Sequence, residues 1–213
     1  MENLLSDLVD TLAGQKSKFY GVTVGRVIDP VDPMLLGRVQ VQLPMIDSLD
    51  LSPWARVATP MAGIAAGIYF IPNVGDEVLV AFENGDLNVP YILGSLWNAT
   101  APPPLPSPVP QIRMIRTIAG NTLMFSDVPP TITILTPSGQ TIEMSPAGIQ
   151  IIDGVNVIST TPDGVTITGP NLNLVGTASI TVTAPSISIT GASDASLQSG
   201  GVCSVTAPLV KIN

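Results

Sequence analysis

The sequence contains no histidine, which removes imidazole metal sites and histidine acid–base catalysis. Its single cysteine, Cys203, excludes an intrachain disulfide framework and any cysteine-rich zinc site. Charge is scarce: 11% of the residues are Asp, Glu, Lys or Arg, where an ordinary globular chain carries about a quarter. Basic residues are the scarcer kind, 8 against 16 acidic, for a net charge of −8. Sequence-independent nucleic-acid binding depends on clustered Lys and Arg that displace counterions; there is no such cluster, so no nucleic-acid partner is expected. No apolar run approaches the roughly 18 residues of a membrane-spanning helix. The N-terminus carries Glu2, Asp7 and Asp10 where a secretory leader carries Lys or Arg. Synthesis in the cytoplasm, with release by other means, is the expectation.

What is present is unevenly spread. Residues 1–100 hold five basic and eleven acidic side chains, and residues 101–213 hold three and five. No aromatic residue follows Phe125, yet Ile, Val, Leu and Thr stay abundant. The second half is therefore apolar in a β-branched way rather than disordered, and those side chains must be buried somewhere.

Residues 1–18 form a leader in which Leu4, Leu5, Leu8, Val9 and Leu12 share one helix face and Gly14 provides a stop. This amphipathic helix either lies on its own domain or docks on a neighbouring subunit. From Phe19 the period changes to two. Val22, Val24, Val27 and Ile28 suggest a strand, Asp29-Pro30 and Asp32-Pro33 are turn chemistry, and Gly37-Arg38-Val39-Gln40-Val41-Gln42-Leu43 alternates before Pro44. A loop with Asp47, Asp50 and Pro53 leads to a short strand, Trp54-Ala55-Arg56-Val57-Ala58. After Gly63, Gly67 and the apolar run Ile68-Tyr69-Phe70-Ile71, Pro72-Asn73-Val74-Gly75-Asp76 turns the chain into the strand Glu77-Val78-Leu79-Val80-Ala81-Phe82. Glu83-Asn84-Gly85-Asp86 turns it again, and Pro90-Tyr91-Ile92-Leu93-Gly94 is the last strand. About five short strands with glycine turns fit a small closed barrel of the oligonucleotide/oligosaccharide-binding (OB) type over residues 19–98.

Residues 99–111 contain six prolines, a stiff connector lacking donors for a sheet interior. Beyond it the sequence repeats. Thr117-Ile118-Ala119-Gly120-Asn121-Thr122-Leu123-Met124-Phe125-Ser126 matches Thr136-Pro137-Ser138-Gly139-Gln140-Thr141-Ile142-Glu143-Met144-Ser145 in frame. Val182-Thr183-Ala184-Pro185, followed by Ile187 and Ile189, recurs as Val205-Thr206-Ala207-Pro208, followed by Val210 and Ile212. Ile149-Gln150-Ile151, Val165-Thr166-Ile167-Thr168 and Leu172-Asn173-Leu174 continue the alternation. Repetition of this kind marks a stacked architecture. Ile, Val and Leu on one face and Thr, Ser, Asn or Gln on the other make a ribbon with one apolar face and open edges, which cannot remain bare in water. A monomeric solenoid would have about four coils and no aromatic filler. Three copies around one axis enclose a narrow interior that aliphatic side chains alone can fill. Residues 112–213 are therefore expected to form an intertwined β-helix in a homotrimer, with folding and trimerisation as one event.

In their order, Gly25-Arg26-Val27 through Asp32-Pro33, Gly37-Arg38-Val39-Gln40-Val41, Trp54-Ala55-Arg56-Val57-Ala58, Ala62-Gly63, Gly67, Phe70-Ile71-Pro72, Val74-Gly75-Asp76-Glu77-Val78-Leu79-Val80 and Gly85-Asp86 through Pro90-Tyr91-Ile92-Leu93-Gly94-Ser95-Leu96 resemble the OB domain of phage baseplate assembly protein V. The spike proteins of contractile injection systems, including the valine-glycine repeat protein G of type VI secretion, share the pattern. The resemblance implies an all-β chain with an OB barrel followed by a trimeric, triple-stranded β-helix. It also implies a structural, non-enzymatic role: the central spike of a contractile baseplate, driven through the target envelope by the sheath. In such a spike a charge-poor surface is useful, since each charge carried into hydrocarbon costs roughly 2.5 to 3.5 kcal/mol. Only about 20 residues precede the barrel, so the hub is expected to be a separate protein. Some spikes of this family close the tip with a His-x-His motif holding iron, which a chain without histidine cannot do; no cofactor is expected. A separate cone-shaped cap of the proline-alanine-alanine-arginine type is expected at the end near Asn213. The location implied is the tail baseplate of a virion or of an extracellular phage-tail-like particle.

No catalytic, cofactor or metal site is expected. Asp76 with Glu77 and Glu83 with Asp86 flank turns, where a role in side-chain to backbone hydrogen bonds outweighs acid–base chemistry. Arg26, Arg38 and Arg56 are candidates for pairing with loop aspartates or within a trimer. Trp54 and Trp97 read as core or interface anchors. Cys203 reads as a small buried hydrophobe rather than one arm of a trigonal thiolate site. Two rival functions lack the residues they need. A nucleic-acid or glycan-binding OB module would need a basic groove with stacking aromatics, and a polysaccharide-cleaving β-helix would need clustered carboxylates, for which Asp153, Asp163 and Asp194 are too scattered.

Overall fold

The computed structural model describes residues 18–44, 47–105 and 111–211, which form strands, turns and one short 3-10 turn. The helix expected at residues 4–12, residues 106–110 of the connector, and Ile212 lie outside the described residues. The chain divides into two compact units, Met1–Ile112 and Arg113–Asn213.

The first unit contains β1 (Val22–Asp29), β2 (Arg38–Leu43), β3 (Asp47–Leu51), β4 (Ala55–Val57), two-residue arms β5 (Ala62–Gly63) and β6 (Ala66–Gly67), β7 (Glu77–Phe82) and β8 (Pro90–Leu96). Strands β1, β7, β8, β4 and β2 pair in that order and β2 closes back on β1, giving the expected five-stranded barrel. Only β4 and β8 run parallel. Valine dominates the interior: Val27, Val39, Val41, Val78 and Val80 are fully buried, beside Leu43, Ala55, Phe82 and Ile92. Each of these except Ala55 contributes about 1.5 to 3 kcal/mol by leaving water. Phe19 closes one end, edge-to-face on Phe82 with ring centroids 5.7 Å apart.

Two details depart from the sequence pattern. The Val22 and Val24 that suggest β1 face outward, and Thr23, Gly25 and Val27 form its inner row. The inner row has room only for small groups, since an added Cβ on Gly25 would stand 2.9 Å from Val80 Cγ2 and 3.2 Å from Leu43 Cδ2. The stretch with Asp47 and Asp50, expected as loop, is strand β3. Three-residue β4 covers only the first part of β2, at Arg38 and Val39, and β3 takes the rest of that edge through Gln42 opposite Leu51. Backbone groups of a strand need partners whatever the propensity of the residues that supply them. Buried Ser52 manages the change of partner: its hydroxyl accepts the Val41 N–H at 3.0 Å and donates to the Pro53 carbonyl at 2.7 Å.

The second unit is an antiparallel meander of β9 (Ile112–Arg116), β10 (Thr122–Asp127), β11 (Pro130–Leu135), β12 (Thr141–Ser145), β13 (Gly148–Asp153), β14 (Asn156–Thr161) and β15 (Gly164–Thr168), in sequence order. The matched segments at 117 and 136 fold alike. In each, threonine N–H donates to the carbonyl four residues on (Thr117 to Asn121 at 2.9 Å, Thr136 to Gln140 at 3.0 Å) and glycine N–H donates back to the threonine carbonyl (2.9 and 3.0 Å). Gly120 and Gly139 take the same left-handed conformation, at φ 96° and 88°. A second recurrence, Ser145-Pro146-Ala147-Gly148 and Thr161-Pro162-Asp163-Gly164, closes the β12–β13 and β14–β15 hairpins with equivalent registers. Residues 169–211 form no strand within the chain, including Leu172-Asn173-Leu174. Their alternation is real, but a strand exists only where another backbone lies alongside. The repeats at 182 and 205 match locally, each bending at its proline, Pro185 and Pro208.

Candidate functional site

The singled-out side chains are dispersed. Asp76 Oδ2 accepts the Asn73 N–H at 2.8 Å, and Asp86 Oδ1 accepts the Asn88 N–H at 2.9 Å, so both build turns. Glu77 lies opposite Arg26 on the β1–β7 ladder. Glu83 accepts a hydrogen bond from the Tyr91 hydroxyl, which raises the phenol's pKa above its ordinary value. The Arg56 guanidinium sits 5.8 Å from the centre of the Tyr91 ring. Arg38 and Arg56 are cross-strand neighbours, whereas Arg26 lies opposite Gln42. Trp54 is half-buried and Trp97 is 71% exposed, so neither belongs to the barrel core. Cys203 is exposed within the single chain. Asp153 ends β13 opposite Asn156 and Asp163 sits in the β14–β15 turn, at opposite ends of β14, and Asp194 lies in the strandless stretch.

What the topology does assemble is apolar. Cross-strand partners in an antiparallel ladder point to the same face, so the register of β10 to β15 can be read across the sheet. Leu123, Ile134, Ile142, Ile151, Ile158 and Ile167 form one continuous row. Two residues along, Phe125, Ile132, Met144, Ile149, Thr160 and Val165 form a second row on the same face. The one polar member, Thr160, has its hydroxyl engaged by the Ile149 N–H at 3.1 Å. The opposite face is mostly polar, as in the row Thr133, Glu143, Gln150, Ser159 and Thr166. Within one chain the apolar stripe is uncovered: Ile134 is 44% exposed and Ile151 42%. Contiguous exposure on this scale marks an interface rather than a scattered surface residue.

The barrel carries a second apolar surface, at the end where β1, β4 and β8 finish. One side is the loop after β1. Buried Asp32, 4% exposed, organises it by accepting the N–H groups of Met34 and Leu36 at 3.0 and 3.1 Å and both prongs of the Arg38 guanidinium. The Arg38 pair, reinforced by those backbone donors and opposed by desolvation, holds the Asp32 carboxyl well below the usual carboxylate range. The loop displays Met34, Leu35 and Leu36 to solvent, Leu35 in a left-handed conformation at φ 56°. Facing it is the β5–β6 hairpin with exposed Ile64, and then Tyr69 and Phe70; the two sides line a groove of about 450 Å³. Of the apolar run 68–71, Ile68, Tyr69 and Phe70 are thus exposed, whereas Ile71 packs against the barrel core. No charged residue occurs between 58 and 75, a signal available in the sequence.

Comparison with known proteins places this architecture. Residues 23–97 match the family described as the type VI secretion system/phage-baseplate injector OB domain. The chain is 38% identical over 101 residues to the actin cross-linking toxin VgrG1 of Vibrio cholerae, covering 44% of this chain and 9% of that protein. It is 41% identical over 101 residues to the V. cholerae type VI secretion system spike protein VgrG3 (44% and 10%). To spike protein VgrG4b of Pseudomonas aeruginosa it is 42% identical over 64 residues (30% and 8%). The chain thus spans about a tenth of the length of the curated relatives it matches.

Proposed function

From the premise that residues 23–97 are an injector OB domain of the phage-baseplate and type VI secretion class, we propose that the chain is the homotrimeric central spike of a contractile injection machine. The observation that carries this reading is the bare apolar stripe on β10 to β15. It is two residues wide, about 7 Å at the strand repeat, and runs unbroken across six strands. A stripe so narrow makes one wall of a prism, and three copies turning it inward bury all three; the opposite face keeps a few aliphatic side chains, such as Leu135, Ile152 and Val157, among its polar ones. Two sheets face to face would also cover the stripe; the family resemblance favours three. Residues 169–211, apolar-alternating and unpaired within the chain, then find strand partners in the other copies.

The stalk transmits thrust along its axis to the target envelope, and the Thr- and Ser-rich outer face lowers the cost of desolvation during passage. The barrel is the attachment to a baseplate hub, and a small cone-shaped cap covers the tip; both rest on the family resemblance. No catalytic step is assigned to this chain.

Sedimentation equilibrium of the full chain tests the assembly. Three times the chain mass of 22.1 kDa is expected at all accessible concentrations. A stable folded monomer or a dimer overturns the proposal. Particles assembled with the chain's gene deleted should lack the axial spike and fail to penetrate target cells.

A further inference from the structure

We infer that the uncharged end surface of the barrel, formed by the loop with Met34, Leu35 and Leu36 and by the hairpin with Met61 and Ile64, is a seam between barrels of neighbouring copies of this chain. The inference rests on the proposed trimer and names a second contact in it, separate from the stalk. Two left-handed non-glycine residues stand there, Leu35 at φ 56° and Ala65 at φ 55°. Such backbone costs about 1 to 3 kcal/mol and persists where surrounding structure enforces it. Here the enforcement is explicit: Asp32 fixes one loop through Met34, Leu36 and Arg38, and Ile68 N–H donates to the Met61 carbonyl at 3.0 Å to close the other. What this framework holds out is apolar, with Leu35 88% exposed and Ile64 fully so. Preorganised display of this kind spares a contact the entropy of ordering it.

The occupant follows from charge and from the path of the chain. With no charged residue at 58–75 or 33–37, the surface offers no ionic selectivity; it complements another uncharged, apolar surface, and each copy of this chain brings one. Strand β8 runs parallel to β4 and leaves the barrel at this same end, so the connector departs beside the seam. Only 15 residues separate Leu96 from Ile112. A tether that short, fixed to a common stalk, holds the three barrels at about millimolar effective concentration, where a modest apolar contact is enough.

Hydroxyl-radical footprinting of the full-length protein reads the seam directly, because Met34 and Met61 are both exposed and readily oxidised in an isolated chain. The comparison is with Leu35→Asp and Ile64→Asp, surface changes that leave the barrel interior intact. We expect Met34 and Met61 to oxidise several-fold more slowly in the parent trimer than in either variant, while the variants keep the trimer's mass through the stalk. A parent trimer in which both methionines oxidise as fast as in the variants overturns the seam and leaves the trimer standing. Protection that arises only on adding a hub protein also overturns it, assigning the surface to that partner. A monomeric parent would remove the trimer itself.

Discussion

Arg38 grips Asp32 with both prongs of its guanidinium, Nε to Oδ2 and Nη2 to Oδ1, each at 2.8 Å. The same carboxylate receives the Met34 and Leu36 backbone donors, so one buried side chain ties the loop between β1 and β2 to the start of β2. Removing one partner of such a pair leaves the other unsatisfied, which costs more than removing both. Asp32→Asn should lower the melting temperature of the barrel by several degrees. Arg38→Met should do the same, and the double variant should lose less than the sum. Melting followed by Trp54 fluorescence checks this; strict additivity would mean that the two side chains act independently.

The same pair sets the acid limit. The folded state holds the Asp32 carboxyl below its ordinary value of 3.8, chiefly through Arg38. A lowered folded-state pKa gives stability that is complete above the unfolded value and drains away as the pH falls toward the folded one. Barrel stability should therefore stay flat with respect to this group from neutral pH down to about pH 5, then fall. In Asp32→Asn that component of the acid slope should be absent, as denaturant titrations at a series of pH values would reveal.

Gly25 was legible only as part of a motif, and its role is steric. A methyl group there would press on Val80 and Leu43, and overpacking of this kind costs about 1 to 3 kcal/mol. Gly25→Ala should be destabilised by that amount in denaturant unfolding. Gly94, whose added Cβ meets nothing within 4 Å, is the control: Gly94→Ala should change stability little.

Strands β2 and β7 were readable because their inward valines alternate without exception, and the barrel followed from turns rich in glycine and aspartate. Strand β1 was placed but its facing was not, because Thr23 and Gly25 are poor hydrophobic markers while Val22 and Val24 decorate the outside. Strand β3 was missed because it exists to occupy an edge that short β4 leaves free, a tertiary fact. In the meander the repeat marks the turns at 117 and 136, and alternation gives the faces of β10 to β15. Beyond Thr168 alternation could not say which backbone would lie alongside. The exposed apolar surface with Leu35 and Ile64 is hard to read because such residues resemble core residues in composition; the absence of charge over 58–75 is its signal in the sequence.

The paired turns at 117 and 136 allow an internal comparison. Gly120 and Gly139 adopt nearly the same left-handed backbone, so Ala at either should cost about 1 to 2 kcal/mol for conformation alone. Around Gly139 an added Cβ meets nothing, whereas at Gly120 it would lie 3.3 Å from Pro137 Cγ. Gly120→Ala should therefore be the more damaging of two otherwise equivalent changes. Thermal unfolding of the full chain would check it, and equal losses would show that Pro137 yields without cost.

Ile151 and Gln150 are adjacent in sequence, both exposed within one chain, and point to opposite faces of the meander. If the chain acted alone, Asp at either position would face water and the two variants would behave alike. In the proposed trimer they diverge. Ile151→Asp brings three carboxylates into a narrow aliphatic interior, each paying a desolvation penalty of several kcal/mol with no cation to pair with. Gln150→Asp adds three charges to the outer surface, where they remain hydrated. Ile151→Asp should fail to reach the trimeric mass and aggregate through its exposed stripe, whereas Gln150→Asp should sediment as the parent does. Equal behaviour of the two would mean that the apolar face is not the inside of the stalk.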